Sequence, residues 1–139
     1  MKSGKPKIKG EMSVQEMQRE KIRTFRDLIA WQKAMGLTEQ VYSLTSGMPE
    51  TERFGLMSQM RRAAVSIPSN IAEGYARQSR VDYVRFLKTA RGSHAELQTQ
   101  VILAKRLGFI RVTDEFSQLL EETDRVLQGL IRSLETKRR

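Results

Sequence analysis

From Tyr83 the sequence places apolar or small residues in alternating steps of four and three, through Leu87, Ala90, His94, Leu97, Val101 and Ala104 to Gly108. Positions at that spacing share one side of an α-helix, and the narrow stripe they make is the seam of a left-handed helical bundle. A helix cannot bury such a stripe against itself, so the pattern demands partners. The same chain supplies them. Ala30, Ala34, Leu37, Val41, Leu44 and Met48 form a second stripe, and Leu56, Met60, Ala63, Ile67 and Ile71 a third. A fourth runs through Phe116, Leu119 or Leu120, Thr123, Leu127, Leu130 and Leu134.

Boundary signals separate the stripes. Thr24 with Asp27 three residues later opens the first helix, and "SGMP" at 46–49 closes it, with Gly47 suited to a left-handed cap and Pro49 discouraging continuation. The second helix is predicted to begin with "ETER" at residue 50 and to run towards Ala76. Ser79 with Asp82 starts the third, which Gly108 ends; Thr113, followed by Asp114 and Glu115 in the electropositive first turn, starts the fourth. Sustained alternation and Asn-Gly or Asp-Gly hairpin turns are absent, so nothing signals a strand. Four helices joined by short turns predict an all-α fold, an antiparallel up-down four-helix bundle over residues 24–136. Residues 1–23 form a basic N-terminal extension. Its first twelve residues lack periodicity and are expected to be disordered, whereas Ser13 with Glu16 can start a short helix.

A chain of 139 residues with 39% hydrophobic composition has material for one domain with a true core. It contains no cysteine, which excludes disulfides, thiolate metal sites and a cysteine nucleophile. Its apolar runs, such as "VILA" at 101–104, fall far short of the ~20 residues of a membrane span. The start does not resemble a secretory signal. A cytoplasmic protein without membrane contact is the expectation.

The formal charge of +9 is unevenly spread. Residues 53–111 hold eleven Lys and Arg against Glu73, Asp82 and Glu96, a balance of +8, whereas residues 112–135 hold two arginines against six acids, a balance of −4. A segregated positive field favours an anionic partner, of which RNA or DNA is the commonest. Arg77, Arg80, Arg85, Lys88 and Arg91 span the turn into the third helix and its first turns. Lys105, Arg106 and Arg111 gather at its far end, where antiparallel packing should bring Arg53. These nine are the candidate nucleic-acid-binding residues. Exposed aromatics for base stacking are not evident, since Trp31, Tyr42, Tyr75 and Tyr83 read as core or interface, so sequence-specific recognition is not expected.

In the second helix Arg62, Ser66, Asn70, Glu73 and Arg77 form a polar stripe beside the apolar one. Pro68 removes the amide that would bond the Ala64 carbonyl and should bend the helix, at about 3 kcal/mol in an unrelieved interior. Ser66, Ser69 and Asn70 are placed to hydrogen-bond backbone groups or water around the break, and Gly74 permits a close approach. Two readings remain: Arg62, Ser66, Pro68, Asn70, Glu73 and Gly74 are structural parts of a kinked helix, or they face another subunit. A single bundle does not easily hide both stripes, which argues for a homo-oligomer.

"RRAAVSIPSNIAEGYARQS", "FLKTARGSHAEL", "LAKRLGFI" and, near the start, "FRDLIAWQKAMGL" resemble the small bacterial four-helix bundle family named for proteins encoded in intervening sequences of 23S ribosomal RNA genes. The similarity covers about residues 25–135. The same fold group includes the accessory variability protein of diversity-generating retroelements, a homopentameric basic barrel that binds nucleic acid and its reverse transcriptase. The resemblance implies a homo-oligomer, with five chains as the first expectation, a nucleic-acid-binding role and a reverse transcriptase as a candidate partner.

Catalysis finds no support. His94, the one histidine, lies in the apolar seam and reads as a hydrogen-bonded core residue. Carboxylate di-iron bundles need Glu-x-x-His pairs, which are missing, as are phosphate-loop and dinucleotide fingerprints. Glu121, Glu122 and Asp124 read as a solvated acidic face. No catalytic residue, metal or cofactor is expected. Two functions stay open: an oligomeric, sequence-tolerant nucleic-acid binder, or a non-enzymatic interaction scaffold for an acidic protein.

Overall fold

The computed structural model describes residues 22–136. The expected extension, with its helix from Ser13, lies outside the described residues except for Ile22 and Arg23. Four helices carry the fold: α1 (Ile29–Thr45), α2 (Leu56–Ala76), α3 (Arg80–Arg106) and α4 (Asp114–Thr136). Among the described residues there is no strand. Each helix packs on the next and α4 returns to α1, so the molecule is an up-down antiparallel four-helix bundle. The pairing of α2 with α3 is the most extensive. Their connection is only Arg77, Gln78 and Ser79, and it reverses the chain by placing Gln78 at φ 58°, a left-handed conformation uncommon outside glycine.

Helix ends follow local chemistry, with shifts from the sequence expectation. The Thr24–Asp27 capping box forms, but it closes a single 3-10 turn, Phe25–Asp27; Leu28 is extended and α1 starts at Ile29. "ETER" likewise yields a 3-10 turn, Glu50–Glu52, and α2 begins only at Leu56, whose N–H donates to Glu52 Oε1 at 3.2 Å. Gly47 does not adopt the left-handed conformation; Gly108 does, at φ 77°. The amides of Gly108 and Phe109 donate to the Lys105 and Ala104 carbonyls at 3.0 and 2.9 Å, the paired bonds of a Schellman cap. Ser79 Oγ accepts from the Asp82 amide and Thr113 Oγ1 from the Phe116 amide, so α3 and α4 start where their caps predict.

The core contains the expected seams with two substitutions. Thr45, not Leu44, is buried on α1, and Ile131, not Leu130 or Leu134, on α4. A straight helix turns once per 3.6 residues, so a seam counted at 3.5 drifts sideways and the buried side passes to the next residue. Leu120 resolves the choice left open beside Leu119.

The apolar stripe of α2 is wholly enclosed: Leu56, Met60, Ala63, Ile67 and Ile71 are all buried within one bundle. A single chain hides this stripe without a second copy, because α1 and α3 flank α2 from both sides. Helix α2 continues through Pro68, which is itself buried. The Ala64 carbonyl that Pro68 leaves without a helical donor lies 3.0 Å from Thr38 Oγ1 of α1, whose one proton it shares with the Ala34 carbonyl at 2.8 Å. The donor to that carbonyl comes from the neighbouring helix, while Asn70 Nδ2 donates to the Ser66 carbonyl beside the break at 2.8 Å.

Candidate nucleic-acid interface

The capping turn before α3 and the first turns of that helix display the first basic group. Arg80 is exposed, and among the described residues no carboxylate lies within ion-pair distance of it. The other four are partnered. Arg77 donates to Glu73 at 3.2 Å and Arg85 to Asp82 at 2.9 Å, pairs one helical turn apart. Both guanidinium groups also lie over the Phe86 ring, 4.9 and 5.2 Å from its centroid. Lys88 reaches across to Glu135 of α4 at 2.9 Å. Arg91 meets Asp124 of α4 with two parallel bonds of 2.8 and 3.2 Å.

These contacts revise the reading of α4 as a solvated acidic face. Asp124 neutralises Arg91 of α3, and Glu122 holds Lys33 of α1 at 3.0 Å. Burial alone would raise the Asp124 pKa; hydrogen bonds from Arg91 and Gln128, together with neighbouring positive charge, outweigh it and hold the carboxyl below its ordinary value. The sequence places these acids on α4 but does not say which of them turn towards a cation on another helix.

The second basic group occupies the opposite end of the bundle. Lys105, Arg106 and Arg111 are exposed around the α3–α4 connection. Arg53 belongs to the same end through the topology, yet its own contacts are Glu50 at 3.3 Å and the Phe54 ring at 5.4 Å. Ile102, Leu103 and Leu107 lie exposed among these cations.

The middle of the polar stripe of α2, Ser66 and Asn70, is half-buried against α3, whereas Arg62, Glu73 and Arg77 are exposed. Ser66 Oγ and Ser93 Oγ share a hydrogen bond of 2.8 Å, and Asn70 Nδ2 donates to the Ser66 carbonyl and hydroxyl at 2.8 and 3.0 Å. Gly74 is buried, and a Cβ there would lie 2.7 Å from Phe86 Cβ and 3.3 Å from Tyr83. Tyr83 meets Tyr75 edge to face at 5.8 Å; burial, and then that neighbour, push its phenol above the ordinary range. Arg62 stays exposed.

A feature that no stripe announces lies on the other flank. A groove of about 830 Å³ runs between the end of α1, the 46–55 connection and the outer side of α2. Arg53, Arg61, Arg62, Tyr42 and Phe54 line it. Phe54 is 87% exposed. Neither Arg61 nor Phe54 is singled out by sequence pattern, because one adjoins a better-placed arginine and the other sits in a connection outside any periodic segment.

His94 Nε2 donates to the Leu120 carbonyl at 2.7 Å, inside the core. Among the described residues no three His, Asp or Glu side chains converge as metal ligands would, and no helix is long and apolar enough to cross a membrane.

No curated protein matches the chain. Among solved structures it is similar to a crystal structure of a protein with unknown function from the S23 ribosomal protein family of Bacteroides thetaiotaomicron VPI-5482, at 21% identity and a TM-score of 0.66, covering 75% of this chain and 96% of that one. At this identity the likeness establishes the fold alone. The family model described as 23S rRNA-intervening sequence protein matches residues 26–132, from the first 3-10 turn into the last turns of α4. With α1 to α3 whole and α4 as far as residue 132 inside that match, the chain belongs to the 23S rRNA-intervening sequence protein family.

Proposed function

We propose that this protein is a homo-oligomeric, non-catalytic basic bundle that binds RNA or DNA with little sequence preference, acting as an accessory factor to a reverse transcriptase in a diversity-generating retroelement. The observation that carries the reading is the segregation of charge, +8 over residues 53–111 against −4 over residues 112–135. Arg80, Lys105, Arg106 and Arg111 are exposed cations at the two ends of α3. Arg77, Arg85, Lys88 and Arg91 are paired at exposed positions, where an ion pair contributes only about 0–1 kcal/mol and a phosphate can compete. The support for a reverse-transcriptase partner is the resemblance to the accessory variability protein. The support for assembly is that same resemblance.

The test neutralises Arg80, Arg85, Lys88 and Arg91 together and follows binding over a salt series. Affinity should fall on every sequence, and the dependence on salt should flatten by about 0.9 for each duplex phosphate that the protein no longer neutralises, or about 0.7 on a single strand. Fewer than four phosphates should be given up, because Lys88 and Arg91 already face Glu135 and Asp124. Light scattering should report an oligomer of five chains. A folded wild-type protein that is monomeric at micromolar concentration overturns the assembly claim, and one without salt-sensitive binding to RNA, duplex DNA or single strands overturns the nucleic-acid claim. In that event the scaffold reading takes over, favoured by Ile102, Leu103 and Leu107 standing exposed beside Lys105 and Arg106, a mixed apolar and basic face suited to an acidic protein.

A further inference from the structure

The groove beside α2 shares only Arg53 with the α3-centred reading, and its chemistry is specific. Two of its rings carry a guanidinium each: Arg53 lies 5.4 Å from the Phe54 centroid and Arg61 4.5 Å from that of Tyr42. Phe54 is 87% and Tyr42 44% exposed, so both rings present surface to solvent. Arg61 is fixed in place by donating Nε to Thr45 Oγ1 at 2.9 Å and Nη2 to the Tyr42 carbonyl at 3.2 Å. Those two bonds use two of its five N–H groups and leave the others for a ligand. Its geometry is set before anything binds, which removes part of the ordering cost of association. Three arginines face one lining carboxylate, Glu50, so the groove favours an anion.

We infer that this groove is a single-strand subsite, in which unpaired bases stack on Phe54 and Tyr42 while the intervening phosphates meet Arg61 and Arg62. The inference rests on the nucleic-acid reading above and deepens it. An anion alone would not need exposed rings, and an apolar segment would not need three arginines; a nucleotide chain uses both. The groove is open to solvent along its length and holds about 830 Å³, room for a few unpaired nucleotides. Bases inside a duplex have no free face to offer the rings. The molecule would then hold strand backbones along α3 and an unpaired stretch beside α2.

The experiment compares a labelled poly-dT strand with a mixed-sequence duplex of equal length, by fluorescence anisotropy on the full chain, for wild type, Phe54→Ala, Phe54→Trp and Arg62→Ala. Phe54 is exposed, so its removal should leave folding and mass unchanged. Phe54→Ala is expected to weaken the single strand about 5- to 150-fold, the range for losing one stacked base, and to leave the duplex unaffected. Phe54→Trp should restore binding, and Arg62→Ala should flatten the salt dependence on the single strand. Unchanged single-strand affinity in Phe54→Ala overturns the subsite while the broader binding function stands. Equal loss on strand and duplex overturns the single-strand assignment. A change in oligomer mass in Phe54→Ala shows that a second copy covers the ring, which also overturns it. A wild type that binds neither probe removes both the subsite and the function on which it rests.

Discussion

Where α2 crosses α3, contact is made by shape and by small polar groups: Gly74 receives Phe86 and Tyr83, and Ser66 and Ser93 join hydroxyl to hydroxyl. Where α4 closes the bundle, its exposed rim carries charge: Lys33–Glu122, Lys88–Glu135 and Arg91–Asp124 link it to α1 and α3. Beneath that rim lie Phe116, Leu120, Leu127 and Ile131, so burial supplies the adhesion and the ion pairs add orientation. One side of the molecule therefore has little tolerance for added atoms, whereas the other should tolerate the removal of a charge. The contrast also explains why a chain of such positive charge keeps acids on one helix: they meet cations that would otherwise repel one another across the bundle.

The largest effect should follow from crowding the close seam. Gly74→Leu is expected to destabilise by about 1–3 kcal/mol, towards the upper end, because the atom its Cβ would strike is the Cβ of Phe86, which cannot swing aside without moving α3. Thermal unfolding measures this, and a change within about 0.5 kcal/mol of wild type, the usual scale for surface substitutions, would break the contrast.

A smaller effect is expected at the α1–α2 contact. Thr38→Val keeps the side-chain shape but removes the donor to the buried Ala64 carbonyl, at a cost of about 1–2 kcal/mol. In a Pro68→Ala background the restored amide can serve that carbonyl, so the same substitution should cost less. Denaturant unfolding of the four proteins in this cycle should show a coupling of about 0.5 kcal/mol or more; additive effects would mean that Thr38 does not compensate for the proline.

The smallest effect belongs to the rim. Asp124→Asn is expected to cost less than about 1 kcal/mol near neutral pH, since Arg91 is nearly half exposed. Its pH dependence sharpens the contrast. The folded pKa of Asp124 is below its ordinary value, so the carboxylate contributes its full stabilisation above the unfolded pKa of about 3.9, and that contribution is lost as the pH falls through the folded value. Wild type and Asp124→Asn should therefore differ at neutral pH and converge in acid. Stability that diverges further in acid would contradict the assignment.

Much of this architecture is legible in residue order because its causes are local. Stripes at helical spacing must be buried, Thr113 and Ser79 offer oxygens to amides a few residues away, and Gly108 accepts a left-handed conformation without a Cβ penalty. The nine candidate basic residues can be named from charge alone, but not their present partners. Those partners depend on which α4 carboxylate comes alongside which α3 cation, and Asp124 is 33 residues from Arg91 in the chain.

Residue order alone dictates four amphipathic helices, their succession, their antiparallel course and the segregation of positive charge, since periodicity, caps and short turns act within a few residues. Three features arise only when the helices pack: α2 is enclosed by one bundle, Thr38 answers the carbonyl released by Pro68, and Arg61, Arg62, Tyr42 and Phe54 line one groove. The reason is distance along the chain: Thr38 and Ala64 are 26 residues apart, and their meeting depends on the angle and register at which two helices pack, which no local pattern encodes.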